Sequence, residues 1–230
     1  MIQGYVITKK DDLLSEGMAD ECILSGKDNN FLIEKFYGFY DNLEGAMQVN
    51  GLFINPQAVK KIQTSGVIGC FLSHFTLWKK CLKENQPLAI FEYDALVINR
   101  VENIDLDKFD HCLNFDFTRH LFLKDIEVYK SHLINSSPIE IKQLVENKTT
   151  IDNTSYKYMN KNHIKGAFGY IIKPEGALKV IKGVQAHGIV PADVALNLRY
   201  INLHYTVPSV ARLNPIMLEN LKTLSHTKRK

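Results

Sequence analysis

Cysteine is scarce in this sequence, and what there is forms no pattern. Cys22, Cys70, Cys81 and Cys112 contain no Cys-x-x-Cys pair and no zinc-finger spacing. A disulfide scaffold and a structural zinc module are therefore not expected, and the four read as reduced thiols, mostly in the core. Long apolar runs are missing too. None approaches the ~18 residues of a membrane span, and the start passes at once from Tyr5-Val6-Ile7 into Lys9, Lys10, Asp11 and Asp12, unlike a secretory leader. A cytoplasmic protein is the expectation. There is no Walker A loop, no G-x-G-x-x-G fingerprint and no G-x-S-x-G elbow, so the simplest phosphate-loop, dinucleotide and serine-hydrolase classes drop out. Charge of one sign is lacking as well. The net value of +3 does not by itself indicate nucleic acid. Only the tail, His226 to Lys230, is locally basic, and it reads either as a solvated terminus or as a contact for a polyanion.

What is present is an ordinary globular composition, 45% hydrophobic and 23% charged, over a length of 230 residues that suits one sizeable domain. Tyr5 to Thr8 reads as a first strand, residues 12–24 as a helix closed by Gly26, and Phe31 to Phe36 as a second strand. Residues 37–55, with Gly38, Gly45 and Gly51, read as loop. The clearest helix spans about 65–83. Cys70, Ser73, His74, Leu77, Trp78 and Cys81 recur there at steps of three and four and share a face. Asn85-Gln86-Pro87 breaks it, and Leu88 to Phe91 follows as a buried central strand. His120 to Leu123 is another strand candidate, whereas residues 124–162 are polar and weakly periodic, as expected of an acceptor-binding insertion or a lid. A strand over 167–173, a helix opened by Pro174, a helix from Asp193 to Tyr200 and a last strand over 204–207 complete the α/β pattern.

Chemistry concentrates at the end of the apolar strand, where Glu92 and Asp94 flank Tyr93. In extended backbone, residues i and i+2 point the same way, so both carboxylates can meet on one hard cation such as Mn²⁺ or Mg²⁺. The plainer alternative is a pair of solvated turn acids. Asp193, after a short apolar run, suits a further metal ligand, a general base or simply a helix N-cap. Ser73 and His74 are either core residues with one hydrogen bond or groups that touch a nucleotide, and Trp78 reads as core.

In their order, these segments resemble glycosyltransferase family 25, which includes lipooligosaccharide and collagen galactosyltransferases. The resemblance rests on Gly69-Cys70 with Ser73-His74 and Trp78, then Pro87 to Ala95. It continues with Gly166 to Ala177, Pro191-Ala192-Asp193 and Val207-Pro208-Ser209. It implies a GT-A fold, a Rossmann-like mixed sheet flanked by helices, over a single domain spanning 1–230. It also implies a nucleotide-sugar donor, often UDP-galactose, and inversion at the anomeric carbon. By position, Glu92 and Asp94 fall in the metal and diphosphate motif. Ser73 and His74 fall in the donor-site motif, and Asp193 falls at the later acid, a catalytic base or extra ligand. Thr8 and Gly38 match segments edging the nucleotide pocket. Two departures stand out: Tyr93 replaces the middle acid of the E-D-D motif, and Lys9 and Lys10 stand where the family often has an arginine. A lysine is a point charge rather than a bidentate fork.

The leading expectation is a metal-dependent inverting transferase that moves a hexose to a glycan acceptor such as lipopolysaccharide. Transfer to a modified base in DNA, and a non-catalytic domain that only binds nucleotide sugar, are the alternatives.

Overall fold

A computed structural model describes residues 2–59, 62, 64–100, 104–116, 139–145, 163–164 and 166–214. Most of the 124–162 segment, the strand expected at His120 to Leu123 and the basic tail lie outside the described residues.

The first three strands are β1 (Gln3–Thr8), β2 (Leu32–Tyr37) and β3 (Leu88–Glu92). Both β2 and β3 pair parallel to β1, one on each side. Helix α1 (Leu13–Asp28) makes the crossover from β1 to β2. The chain then passes through α2 (Leu43–Val49) and α3 (Ser65–Glu84) to reach β3. The connections therefore leave β1 in opposite directions. In open α/β sheets this reversal opens a crevice beyond the carboxyl ends of the strands.

The remaining strands are β4 (Ala95–Val97), β5 (Cys112–Asn114), β6 (Glu140–Gln143), β7 (Gly169–Ile172), β8 (Leu203–Val207) and β9 (Ala211–Leu213). Among the described residues, β1 to β3 and four of these strands form one seven-stranded mixed sheet in the order β2-β1-β3-β7-β5-β8-β6, while β4 and β9 make a separate antiparallel pair. Antiparallel β7 joins β3 to the second half of the sheet. Helices α4 (Pro174–His187) and α5 (Ala192–Ala195) lie between β7 and β8 in sequence. This is the mixed sheet with flanking helices that the sequence led us to expect.

Alternation along the central strands divides the core in two. Ile7, Leu88, Ile90, Tyr170 and Ile172 face the layer containing α3 and α4. Val6, Ala89, Phe91, Leu113 and Ile171 face the layer with Cys22 of α1 and the β4 and β9 residues Ala95, Val97 and Ala211. Helix α3 contributes Phe71, Phe75, Leu77, Trp78 and Cys81, each at most 1% exposed. Burying a large apolar side chain of this kind contributes about 1.5–3 kcal/mol, so α3 is the main anchor of its layer. Thr64 caps its start and left-handed Asn85 its end. Gly69 lets the helix lie against the chain after β2, because a Cβ there would stand 2.1 Å from the Phe39 carbonyl oxygen.

Several local expectations change. Gly26 does not stop α1. It sits inside the helix, where a Cβ would meet the Ile33 side chain at 2.5 Å, so it serves close packing on β2. The stretch expected as loop at 37–55 contains α2, started by Asn42 in the left-handed region. The helix expected from Asp193 is only the short α5. Pro191 is its N-cap residue, and Asp193 lies inside the first turn with its carboxylate engaged elsewhere. Strand β6 arises within the polar 124–162 segment and pairs antiparallel with β8.

Candidate active-site cleft

The carboxyl ends of β1, β2 and β3 converge with the start of α3. A cleft of about 320 Å³ opens beside them, lined by Thr64, Gly66, Val67, Cys70 and Glu92, and by Gly166, Ala167 and Pro191 to Asp193. The first three residues belong to the N-terminal end of the 20-residue helix α3. Such an end carries about half a positive charge and outward-pointing amides, which favours anions. Glu92 and Asp193 face the same cleft. Asp193 is fixed by the Gly166 N–H, which donates to its Oδ2 at 3.0 Å. Gly166 adopts φ +84°, a conformation suited to glycine.

Glu92 is held from behind. The chain of contacts begins at Trp78, whose indole N–H donates to the Tyr170 hydroxyl oxygen at 2.8 Å. The Tyr170 oxygen is 2.8 Å from His74 Nδ1, and His74 Nε2 is 3.3 Å from Glu92 Oε1. An indole only donates. The arrangement that satisfies every group has Tyr170 donate its proton to Nδ1 and His74 carry its own proton on Nε2, donated to Glu92. Trp78, Tyr170 and His74 are fully buried. Tyr170 is held protonated well above the usual tyrosine range, chiefly by burial.

Cys70 also reaches Glu92, its Sγ 3.7 Å from Oε1. Burial first, then the negative charges of Glu92, Asp193 and Asp94, push its thiol well above the ordinary range. Asp94 does not line the cleft, however. The strand ends at Glu92 and the chain turns at Tyr93 and Asp94, so the two-residue alternation expected to align Asp94 with Glu92 stops one residue short. Tyr93 packs against the second core layer, and burial, then the charges of Asp94 and Glu92, raise its phenol to about 12. Tyr40, after β2, is raised to about 12 by burial, then by Cys70, Asp12 and Glu92. Lys9 stands 5.6 Å from the Tyr40 ring centroid and pairs with Asp12 at 3.5 Å.

The other expected donor-site residues sit behind the wall. The Ser73 hydroxyl is buried, donating to the Gly69 carbonyl at 2.7 Å and accepting from the Phe39 N–H at 3.0 Å. The Thr8 hydroxyl lies 3.0 Å from that of Ser15, and its carbonyl accepts from the Gly38 N–H at 2.9 Å. A Cβ on Gly38 would meet Ser73 Oγ at 2.6 Å. Thr8, Gly38 and Ser73 thus lock the ends of β1 and β2 to the first half of α3, while Glu92 and Asp193 face the cleft. Sequence reasoning missed the contributions of Cys70, Tyr170 and the α3 terminus. The i, i+4 spacing of Cys70 and His74 is the signal that points to the first. Nothing local marks Tyr170, which lies 92 residues from Trp78.

For a divalent cation the donor chemistry fits. Carboxylate oxygens on Glu92 and Asp193, with the charge of Asp94 nearby, make a hard oxygen set of the kind Mg²⁺ and Mn²⁺ take alongside substrate phosphates.

Residues 41–196 match the model of a family described as glycosyltransferase family 25 (LPS biosynthesis protein). The chain is 29% identical over 163 residues to the lipooligosaccharide biosynthesis protein lex-1 of Haemophilus influenzae, covering 67% of this chain and 49% of that protein. It is 30% identical over 159 residues to the lipooligosaccharide biosynthesis protein lic2B of Haemophilus influenzae, covering 66% of this chain and 53% of that one. The chain therefore spans about half the length of the curated relatives it matches. Among solved structures, the galactosyltransferase LgtC in complex with donor and acceptor sugar analogs aligns with a TM-score of 0.42 and 10% identity, over 89% of this chain and 73% of that one. No helix among the described residues is long and apolar enough to cross a membrane.

Proposed function

The chain belongs to glycosyltransferase family 25, and from that premise we propose that its cleft binds a nucleotide-diphosphate sugar and passes the sugar, with inversion, to a glycan acceptor. The observation that carries this reading is the meeting of Glu92, Asp193 and the amino end of α3 on one 320 Å³ cleft. The helix end suits the diphosphate. A UDP-hexose such as UDP-galactose is the donor class we assign, and a lipooligosaccharide-type saccharide the acceptor, since both curated relatives are lipooligosaccharide biosynthesis proteins. Neither of these two relatives points to the DNA-acceptor alternative.

In the reaction, the acceptor hydroxyl attacks the anomeric carbon from the face opposite the diphosphate. The new C–O bond forms as the bond to the diphosphate oxygen breaks, and the nucleoside diphosphate leaves with that electron pair. Asp193 takes the acceptor proton. Its hydrogen bond from Gly166 fixes the carboxylate but leaves lone pairs for the transfer. Glu92 would hold Mn²⁺ or Mg²⁺ on the cleft, with Asp94 on the adjoining turn adding negative charge nearby, and the ion when bound would supply positive charge against the departing diphosphate. His74 keeps Glu92 oriented through the Tyr170 and Trp78 bonds.

The test is nucleoside diphosphate release from a panel of nucleotide sugars with Mn²⁺, with and without lipooligosaccharide acceptor. Glu92→Ala should abolish release, and Asp94→Ala should lower it less. Full activity in Glu92→Ala removes the metal-site assignment. Tight UDP binding by calorimetry with no turnover of any donor would instead support a binding domain, in line with Tyr93 at the middle position of the acidic motif.

A further inference from the structure

Glu92 belongs to a second donor set whose chemistry differs from the oxygen set above. Cys70 Sγ, a ring nitrogen of His74 and a carboxylate oxygen of Glu92 all lie within 4.8 Å of one another. Two of the three separations are known individually, 3.3 Å for nitrogen to oxygen and 3.7 Å for sulfur to oxygen. In a tetrahedral zinc centre, bond lengths of about 2.0–2.1 Å to nitrogen and oxygen and 2.3 Å to sulfur put nitrogen and oxygen about 3.3–3.4 Å apart and sulfur about 3.5–3.6 Å from either. The first two edges of the triangle come within about 0.2 Å of those values. Cys70 and His74 stand four residues apart on one face of a rigid, buried helix, and Glu92 is the last residue of a central strand. Three ligands on such elements are held in place before any ion arrives.

We infer that the floor of the cleft is a thiolate-imidazole-carboxylate site for a borderline-soft divalent ion of the Zn²⁺ class, with its fourth position open to the cleft. Sulfur and imidazole nitrogen favour zinc over magnesium or manganese. Cys70 and Glu92 line the cleft, so an ion entering meets them first and His74 Nε2 behind them. The back of the imidazole carries the partner that metal-bound histidines usually have, here the Tyr170 hydroxyl on Nδ1. The proton count balances. The Cys70 thiol loses its proton to solvent as sulfur bonds the ion. The His74 proton relocates from Nε2 to Nδ1, and the Tyr170 oxygen turns from donor to acceptor. One proton is released per ion bound. Because the site uses Glu92, Zn²⁺ bound there withdraws that carboxylate from the diphosphate ion. The inhibition of sugar transfer that follows rests on the function proposed above, but the ion binding does not.

Co²⁺ titration of the full chain tests the site directly. The expected result is a thiolate-to-cobalt charge-transfer band together with the intense visible bands of four-coordinate cobalt, saturating at one equivalent and erased by one equivalent of Zn²⁺. Cys70→Ser should remove the charge-transfer band, and His74→Gln should weaken Zn²⁺ binding by about tenfold or more, whereas Cys22→Ala should keep the full spectrum. X-ray absorption of zinc bound to the unaltered chain, with one sulfur scatterer expected, guards against a variant that fails to fold. Only the weak bands of six-coordinate cobalt, a charge-transfer band that survives Cys70→Ser, or no sulfur around zinc would each overturn the proposal. Transfer with Mn²⁺ is measured separately: cobalt bands without turnover of any donor would sink the transferase reading and leave this site standing. If turnover occurs, Zn²⁺ should lower it in the unaltered chain by a larger ratio than in Cys70→Ser.

Discussion

Replacing Tyr170 by Phe removes one oxygen atom from the deepest part of the molecule and isolates its consequences. That oxygen serves two fully buried partners, the Trp78 N–H and His74 Nδ1, each at 2.8 Å. Neither partner has water to turn to, since both are fully buried. A buried polar group stripped of its partner costs about 1–3 kcal/mol, and the variant regains the cost of burying the hydroxyl itself, so a net loss of about 2–4 kcal/mol is expected. For a chain of this size that corresponds to a fall in Tm of about 5–15 °C. Urea unfolding followed by tryptophan fluorescence suits the assay, because Trp78 is the single tryptophan. A double-mutant cycle with Trp78→Phe, followed by circular dichroism, sharpens it. With the indole N–H gone there is one stranded group fewer, so the double variant should cost less than the two singles together, by about 1 kcal/mol or more. A loss below about 0.5 kcal/mol in Tyr170→Phe, against the cost expected of a stranded buried donor, would refute the hydrogen-bond chain behind Glu92. Strict additivity in the cycle would refute the link between Trp78 and Tyr170.

Asp193→Asn keeps an oxygen to accept from Gly166 and loses the ability to take a proton, so donor affinity should persist while kcat falls by about 10²–10⁴-fold; steady-state kinetics beside calorimetry separates the two. Gly69→Ala forces a methyl group against the Phe39 carbonyl and should destabilise by about 1–3 kcal/mol or more, measured by chemical denaturation. For Tyr93 the folded-state phenol stands at about 12, above its ordinary 10.0. The folded chain therefore holds this proton longer than the unfolded chain does. Its contribution is complete below pH 10 and is lost as the pH rises through 12, and Tyr93→Phe should flatten that part of the stability profile. In native alkylation, Cys70 should label slowly but ahead of buried Cys22, Cys81 and Cys112, and mass spectrometry after timed quenching would show the order.

The parts of the fold that were legible in the sequence are those with strong periodicity or a firm stop. Helix α3 declares itself through recurring apolar residues, and Asn85 ends it in the left-handed conformation. β3 is an unbroken apolar run. The short strands β4, β5 and β9 are three residues each and owe their existence to partners far along the chain, which no local pattern encodes. Gly26 misled because glycine signals both helix ends and close packing, and here it packs on Ile33. Asp193 looked like a cap because acids favour that position, but Pro191 already occupies it. At the candidate site, Glu92 and Asp193 were found by chemistry and spacing. Asp94 was placed by assuming the strand continued, and a turn of backbone decided otherwise. The contacts of Tyr170 depend on an antiparallel strand arriving after more than seventy intervening residues, so only the assembled sheet reveals them.

The cleft draws its lining from four stretches of chain: residues 64–70, Glu92, 166–167 and 191–193. Antiparallel β7 is what brings the last two to the first two. A chain cut between β3 and β7 would keep the parallel half-sheet and α3, yet present an open ledge where the uncut chain has a cleft. Two complementary fragments, split in that interval, should be inert apart and regain a common binding site only on reassociation.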